Sequence, residues 1–142
     1  MTRRTGRCLC GSVSYSANVA GEILACHCTQ CQRWTGGGPL LSIDVSDTDV
    51  EGLESTVSHF ASDWGERVFC GTCGSTMWWK MRDGQISSVA AGTLDDQSGL
   101  SVTREIFVDY RPGWLPPFPG ASQSTEAEEM AKLQDYLAGE KS

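Results

Sequence analysis

Seven cysteines stand in three short clusters: Cys8-Leu9-Cys10, Cys26-His27-Cys28-Thr29-Gln30-Cys31 and Cys70-Gly71-Thr72-Cys73. Thiolates two or three residues apart can share one ion at about 2.3 Å without straining the backbone, and zinc most often takes such a soft donor set. A closed structural site wants four protein ligands, and a reactive one keeps three and leaves a position for water or substrate. Four plus three uses every cysteine. Cys26, Cys28 and Cys31 lie within six residues and can hold an ion from one side by themselves. Cys8/Cys10 and Cys70/Cys73 are two pairs flanked by Gly11, Gly71 and Gly74, as expected where turns aim N–H groups at thiolates. Joined through one ion, these pairs would staple the N-terminus to the middle of the chain. The expectation is a closed zinc site on Cys8, Cys10, Cys70 and Cys73 and an open one on Cys26, Cys28 and Cys31. The competing reading, disulfides or redox dithiols, conflicts with the odd cysteine count and with the lack of a secretory segment, both of which point to a reducing compartment.

A chain of 142 residues reads as one domain that buries about two-thirds of its unfolded surface. The expected division is a zinc-binding β domain over 1–120 and an amphipathic helix over 121–142 packed on it. Eleven basic against eighteen acidic side chains give a net charge of −7, which disfavours attraction to nucleic acid or an anionic membrane. No stretch approaches the ~20 apolar residues of a membrane span. A cytoplasmic protein with a small-molecule partner is the expectation.

Val13, Tyr15 and Ala17 alternate with polar residues and predict a half-buried strand, and Glu22 to Cys26 predicts a second that delivers the open cluster. Thr29 is placed to cap a short helix carrying Cys31, which Gly36-Gly37-Gly38-Pro39 ends. Leu41, Ile43 and Val45 predict another strand, followed by an acidic turn through Asp47 and Asp49. Further strands are expected over 57–61, 66–70 and 77–81, with a hairpin turn at Asp83-Gly84 and a return over 86–91. The last strand is expected over 102–109, and the prolines at 112, 116, 117 and 119 exclude regular structure up to Gly120. Thr125 and Glu128 form a capping box for a helix with Met130, Leu133 and Leu137 on one face before Gly139. The pattern is mainly β.

In order, the chain carries Cys-x-Cys-Gly, Cys-His-Cys-x-x-Cys, Phe-Cys-x-x-Cys-Gly-Ser and Gly-Thr-Leu-Asp-Asp, with Ile106-Phe107-Val108 and Trp114 beyond. It resembles the glutathione-dependent formaldehyde-activating enzyme family, shared with centromere protein V. The resemblance implies a β-tent fold of several small antiparallel sheets, a structural zinc on the first quartet and a catalytic zinc on the trio. It also implies carbon–sulfur lyase chemistry that joins glutathione to formaldehyde. One departure is Cys31-Gln32-Arg33-Trp34, where a basic pair commonly follows the last cysteine of the motif.

Three thiolates on a zinc ion suit the binding of another sulfur. Asp95 and Asp96 are the candidates for proton transfer or substrate orientation, against the plain reading of a turn at a strand end. His27 lies between two ligands, and alternation points it away from them, towards an acid–base or supporting role. Trp78, Trp79, Trp114 and Phe118 are candidate pocket walls, and Arg33, Arg67, Lys80 and Arg104 are the cations available for glutathione's carboxylates. Alternatives are a zinc lyase or hydrolase for another electrophile such as an imine, and a zinc-stabilised interaction module without chemistry.

Overall fold

The alternation at Val13, Tyr15 and Ala17 belongs to a strand longer than the sequence suggests. The computed structural model describes residues 1–141, and in it β1 (Thr2–Arg7) pairs antiparallel with β2 (Ser14–Cys26), in register from Thr2 opposite Val19 to Arg7 opposite Ser14. The two strands expected at 13–17 and 22–26 are therefore one, and Gly21 and Glu22 lie inside it. The chain divides into two compact units: Met1–Ile23 with Leu41–Ser101, and Leu24–Leu40 with the residues from Val102 onward.

In the first unit the later strands are β3 (Leu40–Glu51), β4 (Thr56–His59), β5 (Gly65–Cys70), β6 (Thr76–Met81) and β7 (Ile86–Ala90). They run in the order β4-β5-β6-β7-β3-β2 as one continuous sheet, rather than the several small sheets expected. The core is the inward set Val13, Tyr15, Ala17, Val19, Ile43, Val45, Val68, Met77, Trp78, Val89 and Leu94, together with Cys8 and Cys70. Tyr15 meets Trp78 edge-on at 6.3 Å between ring centroids. Its hydroxyl bonds Thr93 Oγ1 at 2.7 Å, and burial pushes the phenol pKa up to about 12, so it remains a neutral donor.

The acidic turn expected at Asp47 and Asp49 is instead part of β3. Asp47 takes a left-handed φ of 51° inside the strand, and its neighbours satisfy it there. Arg3 donates to its carbonyl at 2.6 Å, and Asn18 donates to its carboxylate at 3.1 Å. An aspartate tolerates this backbone better than most residues, so the strand bends at Asp47 without ending. The Asp83-Gly84 turn is as expected, with Asp83 at φ 60° and the Gly84 N–H on the Met81 carbonyl. A register shift against β5, where Val68 faces Trp78 and Phe69 faces Thr76 so that Met77 is passed over, breaks the expected alternation of β6, and consecutive Met77 and Trp78 are both buried while Met81 is exposed.

The second unit holds α1 (Thr29–Thr35), β8 (Ser101–Ile106, from its second residue), β9 (Ser122–Ser124) and α2 (Glu126–Lys141). β9 pairs with β8 in parallel, Arg104 opposite Ser122 through Ile106 opposite Ser124, where only antiparallel pairing and no strand after Gly120 were expected. The strand expected to reach Asp109 stops at Ile106, because Phe107 turns to φ 56° into a 3-10 turn over Val108–Tyr110. The capping box of α2 forms as read: Thr125 Oγ1 takes the Glu128 N–H, and Glu128 Oε1 takes the Thr125 N–H. Ser124 donates to Glu129 at 2.6 Å and Asp109 accepts the Glu126 N–H, so the helix is held by its first turn. Leu133 is half-buried whereas Met130, Tyr136 and Leu137 are exposed, and the helix continues through Gly139. One interior glycine costs a helix only about 1 kcal/mol.

Beneath these elements lies a polar core. Glu105, on β8, and His27 are both fully buried and joined by a 2.8 Å contact from Nε2 to Oε1. The second carboxylate oxygen accepts the Phe118 N–H at 3.0 Å and the Gln123 carboxamide, and Arg111 stands 3.3 Å from the first. Burial alone would raise the Glu105 pKa, but the donors Gln123, His27 and Phe118 and the Arg111 charge together hold it below the usual carboxylate range. One side chain thus gathers the β2 end, β8, the proline-rich segment and β9.

Two glycines with the same backbone sign separate conformational strain from close approach. Gly52 (φ +83°) would place a Cβ 1.8 Å from the Ser12 carbonyl oxygen, whereas Gly99 (φ +77°) has open space there. A left-handed residue with a side chain costs about 1–2 kcal/mol. Gly99→Ala should lose about that much in chemical denaturation, and Gly52→Ala at least about 3 kcal/mol, in the range of severe backbone and packing defects. Equal losses would contradict the contact with Ser12.

Candidate metal centres

The quartet is assembled by two loops of the same design. Cys8 N–H bonds the Val13 carbonyl and Cys70 N–H the Ser75 carbonyl, each five residues on and each at 2.9 Å. Gly11 N–H returns to the Cys8 carbonyl and Gly74 N–H to the Cys70 carbonyl, and both glycines sit at φ +81°. A positive φ three or four residues after the first cysteine closes each loop, which is why glycine stands there. Backbone N–H groups then point at sulfur: Val13 to Cys8 at 3.3 Å and Cys73 to Cys70 at 3.5 Å. The Leu9 N–H crosses to Ser75 Oγ at 3.0 Å and ties the loops together.

All four sulfurs lie within 4.8 Å of one another. Cys8 to Cys10 is 3.6 Å and Cys10 to Cys70 is 3.8 Å. A tetrahedral ion with bonds of about 2.3 Å sets its sulfurs about 3.8 Å apart, whereas a disulfide would bring two to about 2.05 Å. The spacing fits a shared ion. At Cys73 the donors favour anionic sulfur: Ser75 through its hydroxyl and backbone, with the Cys10 N–H, lowers the thiol to about 5.

The trio is delivered by three consecutive pieces of backbone. Cys26 ends β2, Cys28 caps α1, and Cys31 lies in the first turn of that helix. The cap expected from Thr29 is the Cys28 sulfur instead, which accepts the Cys31 N–H at 3.3 Å. Gly36, at φ 73°, closes the helix. The three sulfurs also lie within 4.8 Å of one another, and among the described residues no fourth Cys, His, Asp or Glu joins the group. Cys31 is buried and the other two are half-buried. The Cys26 thiol pKa is driven up, first by its contacts with Cys28 and Cys31 and then by burial. Three crowded sulfurs resist ionising together, and a divalent cation removes that penalty. The arrangement can hold a metal with a position to spare.

The structure places the other expected site residues in both units. Asp95 accepts the Thr5 hydroxyl at 2.8 Å and, with Arg7 and Cys8, lines a hollow of about 320 Å³ in the first unit. Asp96 accepts both the N–H and hydroxyl of Ser98, which with Arg4 nearby keep its carboxyl below the usual range. His27 has no exposure, and its ring is committed to Glu105. Trp78 and Trp79 do not share a wall. Trp78 is buried in the core and reaches a first-unit cleft of about 620 Å³, and Trp79 packs against Trp64 at 5.7 Å. In the second unit Trp114 is 71% exposed, and Phe118 spends its N–H on Glu105. Arg67 is buried and Lys80 stands 3.6 Å from Glu66, both in the first unit, whereas Arg33 is exposed on the helix that carries Cys31.

Sequence reasoning missed Glu105, Arg111 and Gln123, and it read Gln32 only as a departure from a motif. Gln32 donates to the carbonyls of His27 and Tyr110 at 2.7 and 2.9 Å, bracing the trio's loop. The run Val102–Val108 gave no signal for Glu105, since Thr103 and Arg104 precede it and it is the one buried residue of β8.

Elemental analysis of purified protein should find two equivalents of divalent metal per chain. Cys28→Ser should retain one equivalent and its circular dichroism, whereas Cys73→Ser should lose the folded signal, because a structural metal contributes on the order of 10 kcal/mol to folding. Equal loss of structure in both would contradict the division of the cysteines.

The profile of the glutathione-dependent formaldehyde-activating enzyme family matches residues 3–110. A Schizosaccharomyces pombe protein named as an uncharacterized lyase is 27% identical over 86 residues, which are 60% of this chain and 63% of that protein. The aligned part thus spans less than two-thirds of the yeast relative. A crystal structure of a Rhodobacter sphaeroides protein superposes with a TM-score of 0.54 at 22% identity, covering 85% of this chain and 99% of that one, and the two share a fold. With its motifs matched from the first cysteine pair to the 3-10 turn after β8, the chain belongs to the glutathione-dependent formaldehyde-activating enzyme family.

Proposed function

We propose that the protein is a zinc-dependent carbon–sulfur lyase of β-tent fold acting on a small thiol adduct, with glutathione and formaldehyde as the first substrates to test. The observation that carries the reading is the open trio: three sulfurs converge without a fourth protein donor among the described residues. Family membership and the lyase name of the yeast relative support the reaction class. Zinc is the ion assigned to both groups on the chemistry of all-thiolate donors. Held by Cys26, Cys28 and Cys31, it would supply a soft Lewis-acid position that lowers the pKa of a thiol.

The chain's own residues do the rest. Cys26, Cys28 and Cys31 orient the site, and the Cys31 N–H stabilises charge on the Cys28 sulfur. Gln32 fixes the loop through the His27 carbonyl. A Cβ at Gly38 would meet Leu115 and Trp114 at 3.9 and 4.0 Å, so the glycine run and these apolar side chains are neighbours. Arg33, on the helix of Cys31, is the cation assigned to a substrate carboxylate. In the forming direction the thiol sulfur bonds the aldehyde carbon, the carbonyl opens, and the thiol proton ends on the new hydroxyl. Cleavage is the reverse.

Proton transfer is assigned to Asp95 ahead of Asp96, because Asp96 is held as a weak base by the turn it forms with Ser98. For His27, complete burial and the bond to Glu105 support the supporting role over the acid–base one. The imine reading keeps the same site with another electrophile. No specific observation favours a module without chemistry.

The test is a coupled assay with glutathione and formaldehyde. Zinc-loaded wild type should form S-hydroxymethylglutathione well above the spontaneous rate, Cys28→Ser should fall to that rate, and Asp95→Asn should lose at least about a hundredfold in kcat, the low end for general acid–base groups. Asp96→Asn should change kcat by less than about twofold. Wild type at the spontaneous rate would remove the glutathione reading.

A further inference from the structure

The trio has a support that neither its sequence motif nor the comparisons assign. Each of its ligands is set by the backbone on either side of His27: Cys26 precedes it, Cys28 follows it, and Cys31 is carried by the helix that Cys28 caps. Rotation at this one residue would therefore change the distances from the Cys26 sulfur to those of Cys28 and Cys31.

Every hydrogen-bonding arm of His27 but one is tied down. Its N–H donates to the Ile106 carbonyl at 3.0 Å, its carbonyl accepts from Gln32 at 2.7 Å, and its Nε2 meets Glu105 Oε1 at 2.8 Å. Two of the three bonds lead to β8, one to the strand backbone and one to the Glu105 side chain. Nδ1 is buried without a partner. A carboxylate only accepts, so Glu105 requires the proton on Nε2.

Glu105 is itself fixed. It is fully buried, and four donors converge on it: His27, Arg111, the Phe118 N–H and Gln123. Arg111 and Gln123 also bond each other, which joins the turn after β8 to β9. A carboxylate held on both oxygens cannot follow the histidine if the histidine moves. The chain therefore places a fixed carboxylate against the single residue that links Cys26 to Cys28.

We propose that Glu105 is a positioning residue for the open metal site: acting through His27, it preorganises Cys26, Cys28 and Cys31 and so sets the affinity and geometry with which they hold their ion. The inference rests on the reading of the trio as a metal site but not on any substrate. Removing an outer partner that orients metal ligands typically costs 10–100-fold in metal affinity.

The experiment is a zinc competition titration against a chromophoric chelator on full-length wild type, Glu105→Gln, Glu105→Asp, His27→Phe and the Glu105→Gln/His27→Phe pair. The visible spectrum of cobalt-substituted protein provides a second readout. Glu105→Asp keeps the charge while withdrawing it by one methylene, and it serves if Glu105→Gln does not fold. Each single variant should weaken the second zinc equivalent at least about tenfold and shift the cobalt bands of the trio, while the first, tighter equivalent is unchanged. The double variant should be no weaker than the worse single one, because both residues act along one line of contact. Variants that melt at lower temperature but keep wild-type affinity and cobalt bands would show that Glu105 only stabilises the fold, and would overturn the proposal. Additive losses in the double variant would overturn the route through His27. A wild type that binds a single equivalent would overturn the metal reading of the trio as well, an outcome the variants cannot mimic.

Discussion

The mutual distance of the sulfur atoms governs what this chain can be. Thiolates repel one another, and a cluster of them is stable only around a cation that is worth more than their desolvation. The first quartet accepts this constraint twice over. It sits at the edge of the first unit's apolar core, where Cys8 and Cys70 pack among Val13, Met77 and Trp78, and its loops are joined directly by Leu9 and Ser75. An ion there would link residues sixty positions apart and would be inseparable from the packing of the sheet. The trio is built otherwise, from one local segment, with the buried His27–Glu105 pair next to it in the chain.

That contrast explains why the two sites suit different work. Knuckle loops with glycine in the left-handed region hold four sulfurs and point N–H groups inward, which leaves no coordination position. The trio stands at a strand end and a helix start, with one ligand buried and two half-buried. The buried carboxylate of Glu105 adds rigidity where the backbone alone would supply little, since only six residues span the whole ligand set. Catalytic sites commonly depend on such support, because a small displacement of a ligand is felt directly in the chemistry.

The cysteines were legible because metal ligation has a strict and local signature: spacing, count and flanking glycines survive without any knowledge of the fold. The 83–84 hairpin, the half-buried strand at 13–17 and the capping box at Thr125 were legible for the same reason, each being a local rule. What failed were inferences in which tertiary contacts outweigh local preference. Asp47 reads as a turn, yet Arg3 and Asn18 satisfy it inside a strand. Gly21 reads as a break, yet β2 runs through it. Ser122–Ser124 carries no strand signal, but β8 offers it a parallel edge. Glu105 reads as a surface residue, because nothing local announces that Arg111, Phe118 and Gln123 will return to meet it.

The central claim is that seven sulfurs form two unlike metal sites. Anomalous diffraction at the zinc edge from crystals of the protein tests it most directly. The account predicts two peaks per chain, one ringed by Cys8, Cys10, Cys70 and Cys73 and one held by Cys26, Cys28 and Cys31 with a fourth contact that is not a protein side chain. A single peak, or a second ion closed by a fourth residue of the chain, would contradict it.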